Sequence, residues 1–130
     1  MKNLLIESFE IGKKALINEK PTPVEFYSAD LLGNQIGESH IENEGDCGGA
    51  YIKGIKYRSP LYNYFKKLPN MELEGIASLS KDVYKGYILD FETNKIYNGQ
   101  SHDRYKAFCD AVVTHLKSNG IQCYTYSYLT

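Results

Sequence analysis

The chain has 130 residues, 42% of them apolar and 24% charged, with a net charge of −1 and a sequence pI near 6.3. That length fits a single domain of residues 1–130 and buries enough surface to need no disulfide or metal staple. The charge balance argues against a general nucleic-acid binder, whose affinity rests on excess Lys and Arg.

Lys2 to Asn18 reads as a helix, with Leu5, Phe9 and Leu16 on one stripe and Pro21 and Pro23 forbidding continuation. Lys13, Lys14 and Lys20 toward its end suit the helix dipole. Val24 to Leu32 predicts a strand, Gly33-Asn34 a hairpin turn, and Gln35 to Glu42 the return strand. Ile36 and Ile41 would fall on opposite faces of that strand, so a bulge at Gly37 is expected. Glu42 to Gly49 is irregular, with Gly45, Gly48 and Gly49 close together. Ala50 to Tyr57 resumes a strand, placing Tyr51, Ile55 and Tyr57 on one face and Ile52 and Lys56 on the other.

Ser59-Pro60 is an N-cap followed by proline in the first turn, opening a short helix from Leu61 to Lys67 that Pro69-Asn70 ends. Met71 to Ser80 predicts a strand through Leu73, Ile76 and Leu79. Tyr84 to Phe91 is another, turned by Glu92-Thr93-Asn94 into a return strand at Lys95-Ile96-Tyr97. Ser101 caps a helix from His102 to Asn119, striped by Tyr105, Phe108, Cys109, Val112 and Leu116 and stopped by Gly120. Ile121 to Leu129 alternates: Ile121, Cys123 and Thr125 share one face, and Tyr124, Tyr126 and Tyr128 share the other.

The expected fold is therefore α+β: a mainly antiparallel sheet of about five to seven strands, an N-terminal helix, a short central helix and a long helix near the C-terminus. Tyr87, Leu89, Phe91, Phe108, Val112, Leu116, Ile121 and Cys123 should form its core. The run Met1 to Ile6 is too short for a signal peptide, and no stretch approaches the roughly 18 apolar residues of a membrane span. A cytoplasmic protein with reduced thiols and no membrane partner is expected.

Gly45-Asp46-Cys47-Gly48-Gly49 resembles the nucleophile loop of virus-encoded chymotrypsin-like cysteine proteases. In that family, glycines free backbone N–H groups to form an oxyanion hole beside a thiolate. The resemblance covers these residues alone. The family places its histidine and acid on a β-barrel before the nucleophile, whereas His40 is the only histidine upstream of Cys47 here. A papain-like order would pair Cys47 with His102 or His115, but that family opens a long helix at its cysteine, and a strand is expected here. Cysteine hydrolysis or transfer by Cys47 and His102 is thus an alternative reading. The other is a glycine-rich turn around an ordinary thiol.

The sequence carries no CxxC, HxxxH or HExxH spacing and no phosphate-loop string, so neither metal nor cofactor is expected. Lys53, Lys56, Arg58, Lys66 and Lys67 are interleaved with Tyr51, Tyr57, Tyr62 and Tyr64, which suits a nucleic-acid or nucleotide-binding module. Beside them Glu38, Glu42, Glu44 and Asp46 make an acidic stretch. The chain also has twelve Tyr and no Trp, and tyrosine pairs apolar area with a polar tip.

The leading expectation is a non-enzymatic inhibitor that binds another protein. In size and layout it looks like the immunity proteins of bacterial toxin systems or phage-encoded anti-defence inhibitors. It would block a basic toxin or effector site through Glu42, Glu44, Asp46, Tyr124 and Tyr126. The last strand also offers an edge for a homodimer.

Overall fold

A computed structural model describes residues 1–20 and 46–130, together with the backbone of two strands at 24–29 and 35–42. Helix α1, Lys2–Asn18, forms where its apolar stripe predicts and buries Leu5, Ser8, Gly12 and Leu16. Its last turn carries no basic side chain of its own, which corrects the role read for Lys13, Lys14 and Lys20. The cation there comes from across the fold. Arg104 Nη1 donates to the carbonyls of Leu16 at 2.9 Å and Ile17 at 3.5 Å, two of the acceptors that a helix end leaves open.

Strands β1, Val24–Ala29, and β2, Gln35–Glu42, form an antiparallel pair. Phe26 faces His40 and Ser28 faces Ile36, so β2 carries extra residues around Gly37, where a bulge is predicted. The Gly33-Asn34 turn and the expected strand end at 30–32 lie outside the described residues.

The main sheet has five antiparallel strands in the order β4-β5-β6-β3-β7. They are β3 (Gly48–Ile55), β4 (Glu72–Leu73), β5 (Ala77–Lys81), β6 (Tyr87–Phe91) and β7 (Tyr124–Leu129). Helix α2, Pro60–Lys66, starts at Ser59, whose hydroxyl accepts from the Tyr62 N–H at 3.3 Å. Helix α3, His102–Ser118, starts at Ser101, whose hydroxyl accepts from the Arg104 N–H at 3.4 Å, and it stops before Gly120 at φ +82°. The expected α+β architecture holds.

Four local expectations give way. Ile52 and Ile55 are both buried, not on opposite faces. The pairing slips between Ile52↔Leu89 and Ile55↔Tyr87, and Gly54 at φ +84° takes the bulge that turns Ile55 inward. Met71 to Ser80 is no single strand. Gly75 at φ +76° folds β4 back onto β5. Tyr84-Lys85 is the tip of the β5–β6 hairpin, because the Asp82 carboxylate accepts from the Tyr84 N–H at 3.1 Å and Gly86 turns the chain at φ +76°. Lys95-Ile96-Tyr97 forms no return strand. β6 already has β5 on one edge and β3 on the other, so no edge is left to pair. A 3₁₀ turn at Thr93–Lys95 sends Ile96 and Tyr97 to pack on the core instead.

Helices α1 and α3 cover one face of the sheet. Phe9, Phe91 and Phe108 meet edge to face with ring centroids 5.6 to 6.1 Å apart, joining α1, β6 and α3. Leu89, Phe91, Phe108, Val112, Leu116, Ile121 and Cys123 are buried as expected, and Tyr87 is partly buried against them. No described helix is long and apolar enough to cross a membrane.

Candidate functional site

The other face of the sheet carries the tyrosines. On β7 the alternation turns Thr125 toward the core side and leaves Tyr124 and Tyr126 about half exposed, at 51% and 47%. The register sets Tyr126 directly opposite Tyr51, Tyr128 opposite Gly49, and Tyr124 opposite Lys53. The Tyr51 and Tyr128 rings stack at 5.6 Å. A hydrogen bond with Tyr51, helped by burial, holds the Tyr128 phenol above its ordinary pKa. Gly49 leaves room for the ring, since a Cβ there would stand 2.5 Å from the Tyr128 Oη and 2.8 Å from its Cζ and would displace it.

The cation of this face is Lys53, and it is neutralised in place. Its ammonium lies 3.6 Å from the buried Asp82 carboxylate, 4.3 Å from the centre of the Tyr126 ring and 5.7 Å from that of Tyr84. The result is a nearly neutral aromatic surface along the edge strand. Among the described residues, no strand pairs with the outer edge of β7.

Positive charge gathers elsewhere. A cleft of about 1030 Å³ opens at the end of the sheet, between the end of β3, the β5–β6 hairpin and the start of β7, and Lys56, Lys81, Lys85 and Lys117 all line it. Tyr57 and Tyr124 are exposed on its walls, and among the described residues no Asp or Glu lines it. Sequence reasoning missed this grouping because the four lysines come from separate elements and form no local run. Of the basic residues it did single out, the fold disperses the set. Lys53 sits in the tyrosine face, Lys56 in the cleft, and the Arg58 guanidinium 5.1 Å from the Tyr57 ring. Tyr62 is buried between Tyr57 and Tyr87, and Tyr64 packs on Phe65.

Cys47 is exposed, and its backbone bridges Ser101 at the start of α3. The His102 N–H donates to the Asp46 carbonyl at 2.9 Å, and the Thr130 N–H to the Cys47 carbonyl at 3.0 Å. Main-chain bonds thus make Cys47 and His102 neighbours. Among the described residues no hydrogen bond joins the thiol to the imidazole, whose Nδ1 lies 3.4 Å from Asp103. The Gly48 N–H, an amide an oxyanion hole would use, donates to the Gln100 carbonyl at 2.8 Å. His115 lies at the far end of α3, its Nε2 3.4 Å from Glu7. Among the described residues no three potential metal ligands gather.

Of the expected partner-binding set, Tyr124 and Tyr126 share one surface. Asp46 is exposed at the opposite end of the β3–β7 pair, beside the chain end. The side chains of Glu42 and Glu44 lie outside the described residues.

The other two thiols are buried, and burial pushes Cys109 up to about 12 and Cys123 up to about 11, from an ordinary 9.0. Iodoacetamide near pH 8 should therefore label Cys47 alone, with Cys109 and Cys123 reacting only after denaturation, as peptide mass spectrometry would read. Raised values also set a pH dependence. The stability these two neutral thiols lend is complete below pH 9.0 and is lost as pH climbs toward 11 to 12, because the unfolded chain gives up those protons first. Replacing both by Ala or Val should flatten that alkaline decline in a denaturant titration.

No protein-family model matches the chain, and no curated protein or solved structure matches it either.

Proposed function

We propose that the protein is a non-enzymatic binding protein that grips another protein through the tyrosine face of β3 and β7. The observation that carries this reading is the neutral aromatic surface of Tyr51, Tyr124, Tyr126 and Tyr128 on an edge strand. Tyrosine supplies large contact area at small entropic cost, and it is enriched where proteins meet. Pairing of Lys53 with Asp82 leaves this face without the excess positive charge a phosphate backbone needs. An extended segment of the partner adding to β7 would satisfy its open backbone groups.

The form of binding protein we propose is a steric inhibitor of the toxin-immunity or phage anti-defence kind. Asp46, Glu42 and Glu44 would supply an acidic flank against a basic partner site. The test is affinity capture with the wild-type chain, followed by binding and activity measurements on the purified partner. Tyr124→Ser with Tyr126→Ser should weaken binding by about 2 kcal/mol or more, as loss of an aromatic hot spot does, and should restore the partner's activity. A partner bound equally well by that double variant, and by Glu42→Ala, Glu44→Ala and Asp46→Ala combined, would refute the reading.

A further inference from the structure

We infer that the lysine cleft, which borders the tyrosine face at Tyr124, is a second site, and that it takes a nucleoside phosphate. Lys56 follows β3, Lys81 ends β5, Lys85 sits in the β5–β6 hairpin and Lys117 lies in the last turn of α3. All four are exposed. The chain as a whole carries slightly more acid than base, yet the fold brings these four ammonium groups to one cleft, and among the described residues no carboxylate lines it. Like charges gathered this way repel one another, and an anion with more than one negative charge relieves that repulsion.

Two further features narrow the ligand. Tyr57 is 58% exposed and Tyr124 51% exposed on the cleft walls, so a flat apolar group entering with the anion finds π faces to stack on. The Tyr57 ring is braced by Tyr62, 4.9 Å away, and Tyr62 in turn by Tyr87 at 4.9 Å. Tyr124 lies against Gly54, where a Cβ would stand 2.8 Å from its ring. Gly54 thus lets the ring lie flat on β3. Lastly, the carbonyls closing α3 are bonded locally: Leu116 accepts from Asn119 and Ile121, and Lys117 from Gly120. The negative end of the helix is thereby partly quenched, which lessens its opposition to a bound phosphate. Phosphates on the lysines and a base on a tyrosine make a nucleoside phosphate, either free or as a unit of a single strand.

The probes are ATP, inorganic pyrophosphate and a short oligothymidylate, titrated by calorimetry against the full chain at low and high salt. ATP and the oligonucleotide should bind at low salt and weaken steeply as salt rises. Lys56→Gln with Lys117→Gln should reduce affinity about tenfold, at two- to fivefold per exposed charge pair. Tyr57→Ala should cost a similar factor for ATP and nothing for pyrophosphate. Both lysines are surface residues, so unchanged thermal unfolding of that variant will show that its fold survives. Tighter ATP binding assigns the site to a free nucleotide, and tighter oligonucleotide binding assigns it to a strand. No binding of either at about millimolar concentration, affinity untouched by the lysine substitutions, or pyrophosphate binding as tightly as ATP would each overturn the proposal. Lys56, Lys117 and Tyr57 lie outside the tyrosine face and Tyr124, which borders both sites, is unchanged in these variants, so their result is distinguishable from the protein-binding test.

Discussion

Phe108→Ala is expected to remove about 3 to 5 kcal/mol of stability, the cost of emptying a large aromatic site in a close-packed core. Phe108 is 2% exposed, and its ring is held edge to face by Phe9 at 6.1 Å and Phe91 at 5.6 Å. These rings belong to α1, β6 and α3, so the cavity would lie where both helices meet the sheet. Collapse around it is hard, because the backbone of β6 is fixed by neighbours on both edges. A loss of that size is a large share of the roughly 5 to 15 kcal/mol that holds a domain together. Urea unfolding followed by circular dichroism measures it directly. Phe108→Leu, which keeps most of the volume, should cost less than half as much. Equal losses for the two substitutions would mean that the ring contacts are not what holds α1 and α3 to the sheet.

Gly12→Ala should destabilise the protein by about 1 to 3 kcal/mol, as overpacking of a tight core does. At an open helix position the same change would stabilise by about 1 kcal/mol, so the sign is the test. Gly12 is buried on α1. A Cβ built there stands 2.7 Å from Phe108 Cε2 and 2.8 Å from Val112 Cγ2, closer than carbon atoms approach without displacement. The glycine lets α1 settle directly onto α3. Because part of the clash is with the Phe108 ring, the two substitutions should not add. In the Phe108→Ala background, where the Val112 contact remains, Gly12→Ala should cost less than it does in the wild type. Losses that simply sum would place the clash elsewhere.

The way these elements arise shows what the sequence makes legible. Helix α3 is readable because cap, stripe and stop all lie within one segment: Ser101, the Phe108 to Leu116 series, and Gly120. The outward tyrosines of β7 are readable because strand alternation is a local property. By contrast, Gly12 carries no visible signal, since its role depends on Phe108 in a helix far along the chain. The missing strand at Lys95-Ile96-Tyr97 is a similar case. Its residues suit a strand, but strand order leaves it no partner, and strand order is a long-range outcome. The tyrosine face divides in the same way. Tyr124 and Tyr126 were found by alternation, whereas their alignment with Tyr51 and the neutralisation of Lys53 by Asp82 come from register and hairpin geometry. The lysine cleft draws one residue from each of four places, so no window of sequence contains it.

The proposed role of the tyrosine face is to grip a partner protein. Amide hydrogen exchange of the chain with and without its captured partner tests this most directly. We expect protection to rise in β7, Tyr124–Leu129, and in the adjoining residues of β3, while the outer surface of α1 and α3 exchanges as before. Protection confined to the helices, with β7 unchanged, would contradict it.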